Sequence, residues 1–457
     1  MSVQAIDQVS TYLTHELNAP LDFRLLRGAQ PDRYPFLLQS TATGPELGRF
    51  DILFGFPGET LSLSSLKKLS GPGGQNNSDF LSALDDWWRL ERCATIASSL
   101  PFQGGWFLYL GYELAAQIEP TLRLQPDSIL PTAFAVRCPA AFIRDHVSDR
   151  QYIVCETGFE SCLPLMLEDA ANTDDVKPDE SDKSSVTIEE EPADPFLAAV
   201  RHAKEYIAAG DIFQANLSRA WRATFNKDLS ADDVYARLCE ANPAPFAGIA
   251  YWDDVAIISS SPERLVSVRD RKVSTRPIAG TRPRGADASD DSAMSEELFG
   301  HPKERAEHVM LIDLERNDLG RVCEPGSVEV DEFMVLESYA HVHHIVSNVS
   351  GILRDNLGPA DAIRAVFPGG TITGCPKVRC MEIISELEQR PRGAYTGSIG
   401  YLNRDGSLDL NILIRTMVMH GNQLELKAGS GIVADSVPDA ELAETQAKAK
   451  GLLAALR

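Results

Sequence analysis

The chain has 457 residues, 44% of them hydrophobic and 24% charged, with a formal net charge of −23. That length gives two or three compact units, or one large interwoven α/β body, and enough chain to bury a core without staples. The acidic balance argues against a general nucleic-acid binder and against docking on anionic lipid, because both need clustered Lys and Arg. A locally basic pocket for a small anion stays compatible with it.

The N-terminus, MSVQAIDQVSTYLTHELNAP, lacks a basic segment followed by an apolar one, and no run of 18 apolar residues occurs, so a cytoplasmic chain is expected. Eight cysteines, at 93, 138, 155, 162, 239, 323, 375 and 380, form no C-x-x-C pair. That argues against a zinc ribbon or redox motif and for reduced, buried thiols.

In chain order, RFDILFGFP reads as a strand, SDFLSALDDWWRLERCATIASS as a helix with a Ser/Asp start, and GGWFLYLGYELA as a strand. Residues 168–194, EDAANTDDVKPDESDKSSVTIEEEPAD, have the composition of a disordered acidic linker. They divide an N-terminal region, 1–167, from a C-terminal domain, 195–457. The latter opens with a helix, PFLAAVRHAKEYIAAGD, ended by Gly210, followed by strands around FAGIAYWDDVAIISSSPERLVSVRDRKVSTRPIAG. RPIAGTRPRG, residues 276–285, reads as a stiff basic loop. A helix (SEELFGHPKERAEHVMLIDLERNDLGR), further strands, a helix (PKVRCMEIISELEQR), hairpin strands and a last helix (DAELAETQAKAKGLLAAL) complete the chain. Neighbouring strands are too often consecutive for a βαβ fold. The expected class is α+β, with large, mainly antiparallel sheets and helices on the outside.

Several stretches carry chemistry. Glu304 and Glu307 share one helix face, and Glu441 and Glu444 share another, with Lys448 four residues further on. A cation between two such faces relieves like-charge repulsion, and all-carboxylate ligands suit Mg²⁺. The same spacing also fits solvated helix faces. FPGGTITGCPK has G-x-x-x-x-G spacing, but Cys375 and Pro376 stand where a P-loop needs Lys and Ser/Thr. It fits an anion-binding turn, with Pro376 starting a helix. KAGSGIVADS reads as a second glycine-rich loop, in which Gly429 and Gly431 present N–H groups to a carboxylate or simply make a turn. Arg415 stands in an otherwise apolar strand, where a charge needs a partner or a ligand. His344 is either packed or catalytic. Glu263, after a proline turn, is either solvated or a general acid.

These motifs together resemble the chorismate-utilising enzymes, which include anthranilate, aminodeoxychorismate, isochorismate and salicylate synthases. The resemblance is carried by GDIFQANLSR, SSSPERL, RPIAGTRPRG, KERAEHVMLIDLERNDLGR, YAHVHHIVS, FPGGTITGCPKVRCMEIISELE, GSIGYLNRDGSLDLNILIRT and AGSGIVADSVPDAELAET, and covers essentially all of 195–457. The N-terminal LPFQGGWFLYLGYELAAQIE is similar to the amine-forming members. Gln214 stands where water-adding members carry a base lysine, and glutamine cannot deprotonate water. QANLSR and FPGGTITG resemble aminodeoxychorismate synthase component I, with anthranilate synthase component I as the alternative. A non-catalytic chorismate- or amino-acid-binding paralogue is a further, weaker one.

The resemblance implies a Mg²⁺ ion on Glu307 and Glu444, with Glu304 and Glu441 beside them. It implies ammonia adding at C2, loss of the C4 hydroxyl with Glu263 as the acid, and substrate contacts from Thr371, Tyr395, Arg415, Gly429, Gly431 and Lys448. His344 matches the histidine that assists pyruvate loss in the anthranilate-forming member. One branch of the aminodeoxychorismate synthases has a lysine where this chain has Ala279, so ammonia is expected to attack directly. Arg276, Arg282 and Arg284 are expected to be structural. The implied partner is a glutamine amidotransferase subunit that supplies ammonia. LLQS, Leu37 to Ser40, replaces an LLES motif that binds tryptophan in amine-forming members, so a tryptophan site is doubtful here.

Overall fold

The computed structural model describes residues 12–42, 48–75, 77, 79–94, 98–172, 185–226, 229–284, 302–338 and 342–457. The side chains of 279, 281–283, 302–304 and 342 lie outside the described set. Two antiparallel sheets form the centre. The first runs, in spatial order, Tyr12–Glu16, Arg150–Glu156, Ala140–Asp145, Phe50–Gly55, Phe36–Gln39, Phe246–Trp252, Val255–Ser261, Thr416–His420, Gln423–Ile432, Gln214–Phe225 and Val186–Glu190. The second runs Ile278–Pro283, Val342–Ile352, Lys272–Thr275, Arg264–Arg269, Leu408–Asn411, Ser398–Asn403, Gly105–Leu110, Ala133–Cys138, Thr60–Leu63 and Leu69–Ser70. Both sheets therefore take strands from both regions read in the sequence, and the expected α+β architecture is what forms.

Side-chain alternation sorts the strands into layers, because successive residues face opposite sides of a sheet. In Phe50–Gly55, Leu53 packs outward against helices while Ile52 and Phe54 pack between the sheets. In Gly105–Leu110, Trp106, Leu108 and Leu110 face helices while Phe107 and Tyr109 face inward. Phe36 of the first sheet stacks on Phe107 of the second with centroids 4.1 Å apart. Helices Phe23–Ala29, Ala231–Ala241 and Pro438–Ala454 cover the first sheet. Helices Phe80–Glu91, Pro302–Gly320 and Pro359–Val366 cover the second. The order is helices, sheet, sheet, helices. All eight cysteines are free, and six of them are buried. No described helix is long and apolar enough to cross a membrane.

Four sequence expectations need correction. The ends of the 168–194 segment are ordered: a helix continues to Asn172, and Val186–Glu190 is a strand. Val186 and Ile188 pack on the outer core, and Glu190 and Glu191 pair with Arg219 and Arg390. Residues 173–184 lie outside the described set. The RPIAG stretch is not a loop but the edge strand Ile278–Pro283, paired with Val342–Ile352. Arg276 is buried between Glu332 and Glu337, which is the structural role expected of it. Gly429 and Gly431 lie within the strand Gln423–Ile432. Arg415 precedes its strand and sits at φ +52°.

One buried ion pair ties the segments that later form the site. Arg392 and Glu388, 1% and 3% exposed, meet at 2.7 Å. Arg392 also donates to the carbonyls of Asn216 at 2.6 Å and Ile372 at 3.1 Å. Glu388 accepts from the Ser218 amide and hydroxyl. Although burial opposes its charge, the adjacent arginines hold the Glu388 carboxyl below its ordinary range. Removing one partner strands a buried charge. Glu388→Ala is expected to cost about 3–5 kcal/mol in urea unfolding.

Candidate active site

The chain crosses between the two sheets twice at one place. Val255–Ser261 of the first sheet passes through Pro262 and Glu263 into Arg264–Arg269 of the second. Leu408–Asn411 of the second passes through 412–415 into Thr416–His420 of the first. The crossings run side by side: Ile412 N–H donates to the Glu263 carbonyl at 3.0 Å, Ser260 N–H to the Arg415 carbonyl at 3.1 Å, and the Ser261 hydroxyl to the Ile412 carbonyl at 2.5 Å. Glu263 and Arg415 are thus held together by backbone pairing. Arg415 and Thr396 both have positive φ, a conformation that non-glycine residues hold only when the surroundings enforce it.

Glu263 is 5% exposed. Burial pushes its carboxyl up to about 8, and nearby Glu315 pushes the same way. The Thr371 hydroxyl, the Ile278 amide and Lys448 offset only part of this. Glu263 is therefore a neutral acid at pH 7. Arg415 is withdrawn from water, which lowers its pKa despite the Glu263 carboxyl nearby. Among the described residues its guanidinium has no hydrogen-bond or ion-pair partner on the protein. Such a group is a standing site for an anion. His344 is 1% exposed, and burial pushes its imidazole down to about 3, with Arg415 adding to the effect. The Gly280 backbone holds the ring.

The glycines of Gln423–Ile432 make room on the neighbouring strand. A Cβ at Gly429 would lie 2.6 Å from the Tyr395 hydroxyl, and one at Gly431 would overlap the Gln214 amide. Glycine inside a strand marks such close approaches, which is why these residues read as a loop in the sequence. Gln214 Nε2 donates to Glu307 at 2.7 Å, and the Gln214 Oε1 is buried with no partner. Tyr395, 7% exposed, lies against Asn216.

The carboxylates named from spacing are placed as follows. Glu307 lies 3.6 Å from the Cβ position of Gly431. Glu444 pairs with Lys448 at 2.8 Å, and Lys448 also donates to the Gly429 carbonyl at 3.1 Å. Glu441, 7% exposed, accepts from the Ser430 hydroxyl. The Glu304 side chain lies outside the described set. Glu307 therefore lies beside Gly431, whereas Glu444 is tied to that strand only through Lys448, and among the described residues no three carboxylates gather into one cluster. Hard oxygen donors in small number fit Mg²⁺, which keeps waters and takes substrate oxygens.

Sequence reasoning missed Glu315 and Arg392. Glu315 is 5% exposed, and burial with Asp318 nearby pushes its carboxyl up to about 7. It lies eight residues after Glu307, on the inward face of the same helix, and that spacing was the available signal. Asp318 pairs with Lys377, the first residue of helix Lys377–Glu388. Apart from this site, a cavity of about 380 Å³ is lined by Leu38, Gln39, Ser40, Phe246, Tyr401 and Asn411, among others. The Gln39 amide there lies 3.5 Å from Asp51.

Glu263→Gln is expected to lower turnover about 10²–10⁴-fold. Wild-type activity should fall as pH rises past about 8, where the acid loses its proton. The folded chain keeps that proton where the unfolded chain releases it, so stability falls as pH rises from the ordinary carboxylate range to about 8. A thermal unfolding series in Glu263→Gln should show a shallower fall than wild type over that window. Arg415→Met removes a half-buried guanidinium that has no ion-pair partner among the described residues, so it should leave the unfolding midpoint unchanged or slightly raised in a thermal melt.

The sequence pattern of the chorismate binding enzyme family matches residues 36–454. An anthranilate synthase component I-like protein of Synechocystis is 45% identical over 364 residues, covering 79% of this chain and 74% of that protein. An aminodeoxychorismate synthase component 1 of Bacillus subtilis is 41% identical over 391 residues, covering 83% and 82%. The crystal structure of anthranilate synthase component I from Streptococcus pneumoniae superposes with a TM-score of 0.79 at 32% identity, covering 90% of this chain and 92% of that one. With a neutral acid and a partnerless guanidinium at a paired sheet crossing, and a family match over nearly its whole length, this chain belongs to the chorismate-binding enzymes and is a chorismate-utilising enzyme.

Proposed function

We propose that the chain aminates chorismate to 4-amino-4-deoxychorismate, using ammonia from a partner glutaminase, with Mg²⁺ in the site. The observation that carries the reading is the pairing of neutral Glu263 with partnerless Arg415. Chorismate has two carboxylates and a C4 hydroxyl that leaves only with a proton. Arg415 fits one carboxylate, with Tyr395 and the Gly429–Gly431 strand beside it. Glu263 supplies the proton to the departing hydroxyl, with Thr371 next to its carboxyl. Glu307 and Glu444 would hold Mg²⁺, with Glu304 and Glu441 as the further carboxylates named from the sequence, and the ion would supply positive charge for a substrate carboxylate. Lys448, beside Glu444 and Gly429, balances anionic charge.

Gln214 supports amine transfer over water addition. Its amide N–H is committed to Glu307, leaving a buried oxygen that accepts from N–H but is too weak a base to activate water. Addition of ammonia at C2, with shift of the double bonds and loss of the C4 hydroxyl as water, gives the 2-amino isomer. A second ammonia adding at C4, with the reverse shift and release of the C2 amine, gives the 4-amino product. The balance is one chorismate and one ammonia to one 4-amino-4-deoxychorismate and one water. Neutral Glu263 serves as the acid in both directions, and no lysine at position 279 is required.

The anthranilate reading is the second one, supported by relatives with that name and by the PIAGT sequence it shares with anthranilate-forming members. The two readings differ in the fate of the enolpyruvyl group, which the product assay reads directly.

The test is a product assay on the purified chain with chorismate, Mg²⁺ and ammonium at mildly alkaline pH, using mass detection and a coupled pyruvate measurement. The reading predicts an aminated product that keeps the enolpyruvyl group, preceded at early times by its 2-amino isomer, with no pyruvate. Fluorescent anthranilate with equimolar pyruvate would replace it with the second reading. Chorismate bound without turnover would make the chain a binding paralogue.

A further inference from the structure

Segment Pro391–Gly397 brings both Arg392 and Tyr395 into the site, yet it has no regular secondary structure of its own. Its shape is fixed from outside. On one side Lys427 donates to the carbonyls of Pro391 at 2.9 Å and Arg392 at 3.1 Å. On the other side it meets Gly111–Leu114, from the N-terminal region, just past the pairing of Leu110 with Ser398. There the Glu113 carboxylate accepts from the backbone N–H of Arg392 at 2.8 Å and of Gly393 at 3.1 Å. Tyr112 N–H answers by donating to the Gly393 carbonyl at 2.9 Å. The two backbones touch: a Cβ at Gly397 would lie 3.2 Å from the Gly111 Cα. The Arg392 guanidinium then lies over both the Tyr112 and Tyr395 rings, 4.9 Å and 5.6 Å from their centroids.

We propose that Glu113 is a positioning residue for chorismate, clasping the backbone of Arg392 and Gly393 so that Tyr395 is set against Gly429 and Asn216. The side chain does not reach the substrate. It satisfies two backbone donors that no strand or helix satisfies, and backbone donors withdrawn from water require such partners. Loss of the clasp frees the segment to turn at Gly393, which has φ +61° and tolerates other conformations. The N-terminal region thereby contributes to substrate binding without lining the site. The inference rests on the reading that Tyr395 faces chorismate, but not on which amine is formed.

Steady-state kinetics on the full chain with chorismate, Mg²⁺ and ammonium tests it, alongside chorismate binding by calorimetry. Glu113→Ala should raise the chorismate KM about tenfold or more, with a smaller change in kcat. Glu113→Gln keeps one acceptor oxygen and the side-chain volume, so it should recover most of that affinity, and it provides the reading if the alanine variant does not fold. Tyr395→Phe placed on top of Glu113→Ala, or of Glu113→Gln if only that variant folds, should cost less than it does in wild type, because both act through one segment. A merely structural role would lower the unfolding midpoint and the active fraction but leave the KM of the surviving enzyme unchanged. An unchanged KM in both variants, or losses that multiply fully with Tyr395→Phe, would overturn the proposal. Failure of the substrate reading is visible separately, as wild type that neither binds nor converts chorismate. Anthranilate as product leaves the inference in place.

Discussion

The backbone pairing of the two sheet crossings constrains everything else in the site. Ser260, Ser261 and Glu263 on one crossing meet Ile412 and Arg415 on the other through main-chain and hydroxyl bonds. These bonds fix an acid and a guanidinium side by side without letting them solvate each other fully. Neither residue could choose this environment alone. Glu263 is buried because it turns the chain between two packed sheets, and Arg415 takes a left-handed backbone because its strand must leave one sheet and enter the other. The pKa shift of the acid and the missing partner of the base both follow from topology. The electrostatics of the site is a product of where the chain crosses.

The same arrangement is costly to the folded state. A carboxyl held neutral, a half-buried guanidinium and a second raised carboxyl at Glu315 all oppose folding relative to apolar residues of the same shape. The surrounding structure compensates with fully satisfied charge pairs close by. Arg392 with Glu388, Arg276 with Glu332 and Glu337, and Asp318 with Lys377 form a frame of paired charges around unpaired ones. The contrast separates scaffold from candidate site: where a buried charge has its partner, it holds the fold, and where it lacks one, the proposed substrate carboxylate would supply it.

Much of the fold was legible because alternating apolar residues mark sheet faces. Leu53 against Ile52 and Phe54, and Trp106 against Phe107, announce two-sided burial in a few residues. What misled was glycine. Gly429 and Gly431 looked like a loop, but their missing side chains make space for Tyr395 and Gln214 across a strand, and local sequence carries no trace of those distant neighbours. RPIAG looked like a basic loop for a similar reason: the acids that bury Arg276 lie more than fifty residues away. Of the candidate site, single charges in apolar surroundings, such as Arg415, were readable. Glu263 was named as a candidate acid, but its burial was not readable, because only the crossing tells that a glutamate after a proline turn is buried. Glu113 was invisible, since its partners are backbone groups, which no side-chain pattern records.

Infrared difference spectroscopy of wild type minus Glu263→Gln at pH 7 tests the central claim most directly. The account predicts a protonated carboxylic acid carbonyl band in wild type that is missing in the variant and converts to carboxylate bands as pH rises past about 8. A carboxylate signature for Glu263 at pH 7, with no titration up to that range, would contradict it. The acid that is to protonate the leaving hydroxyl would then have no proton to give.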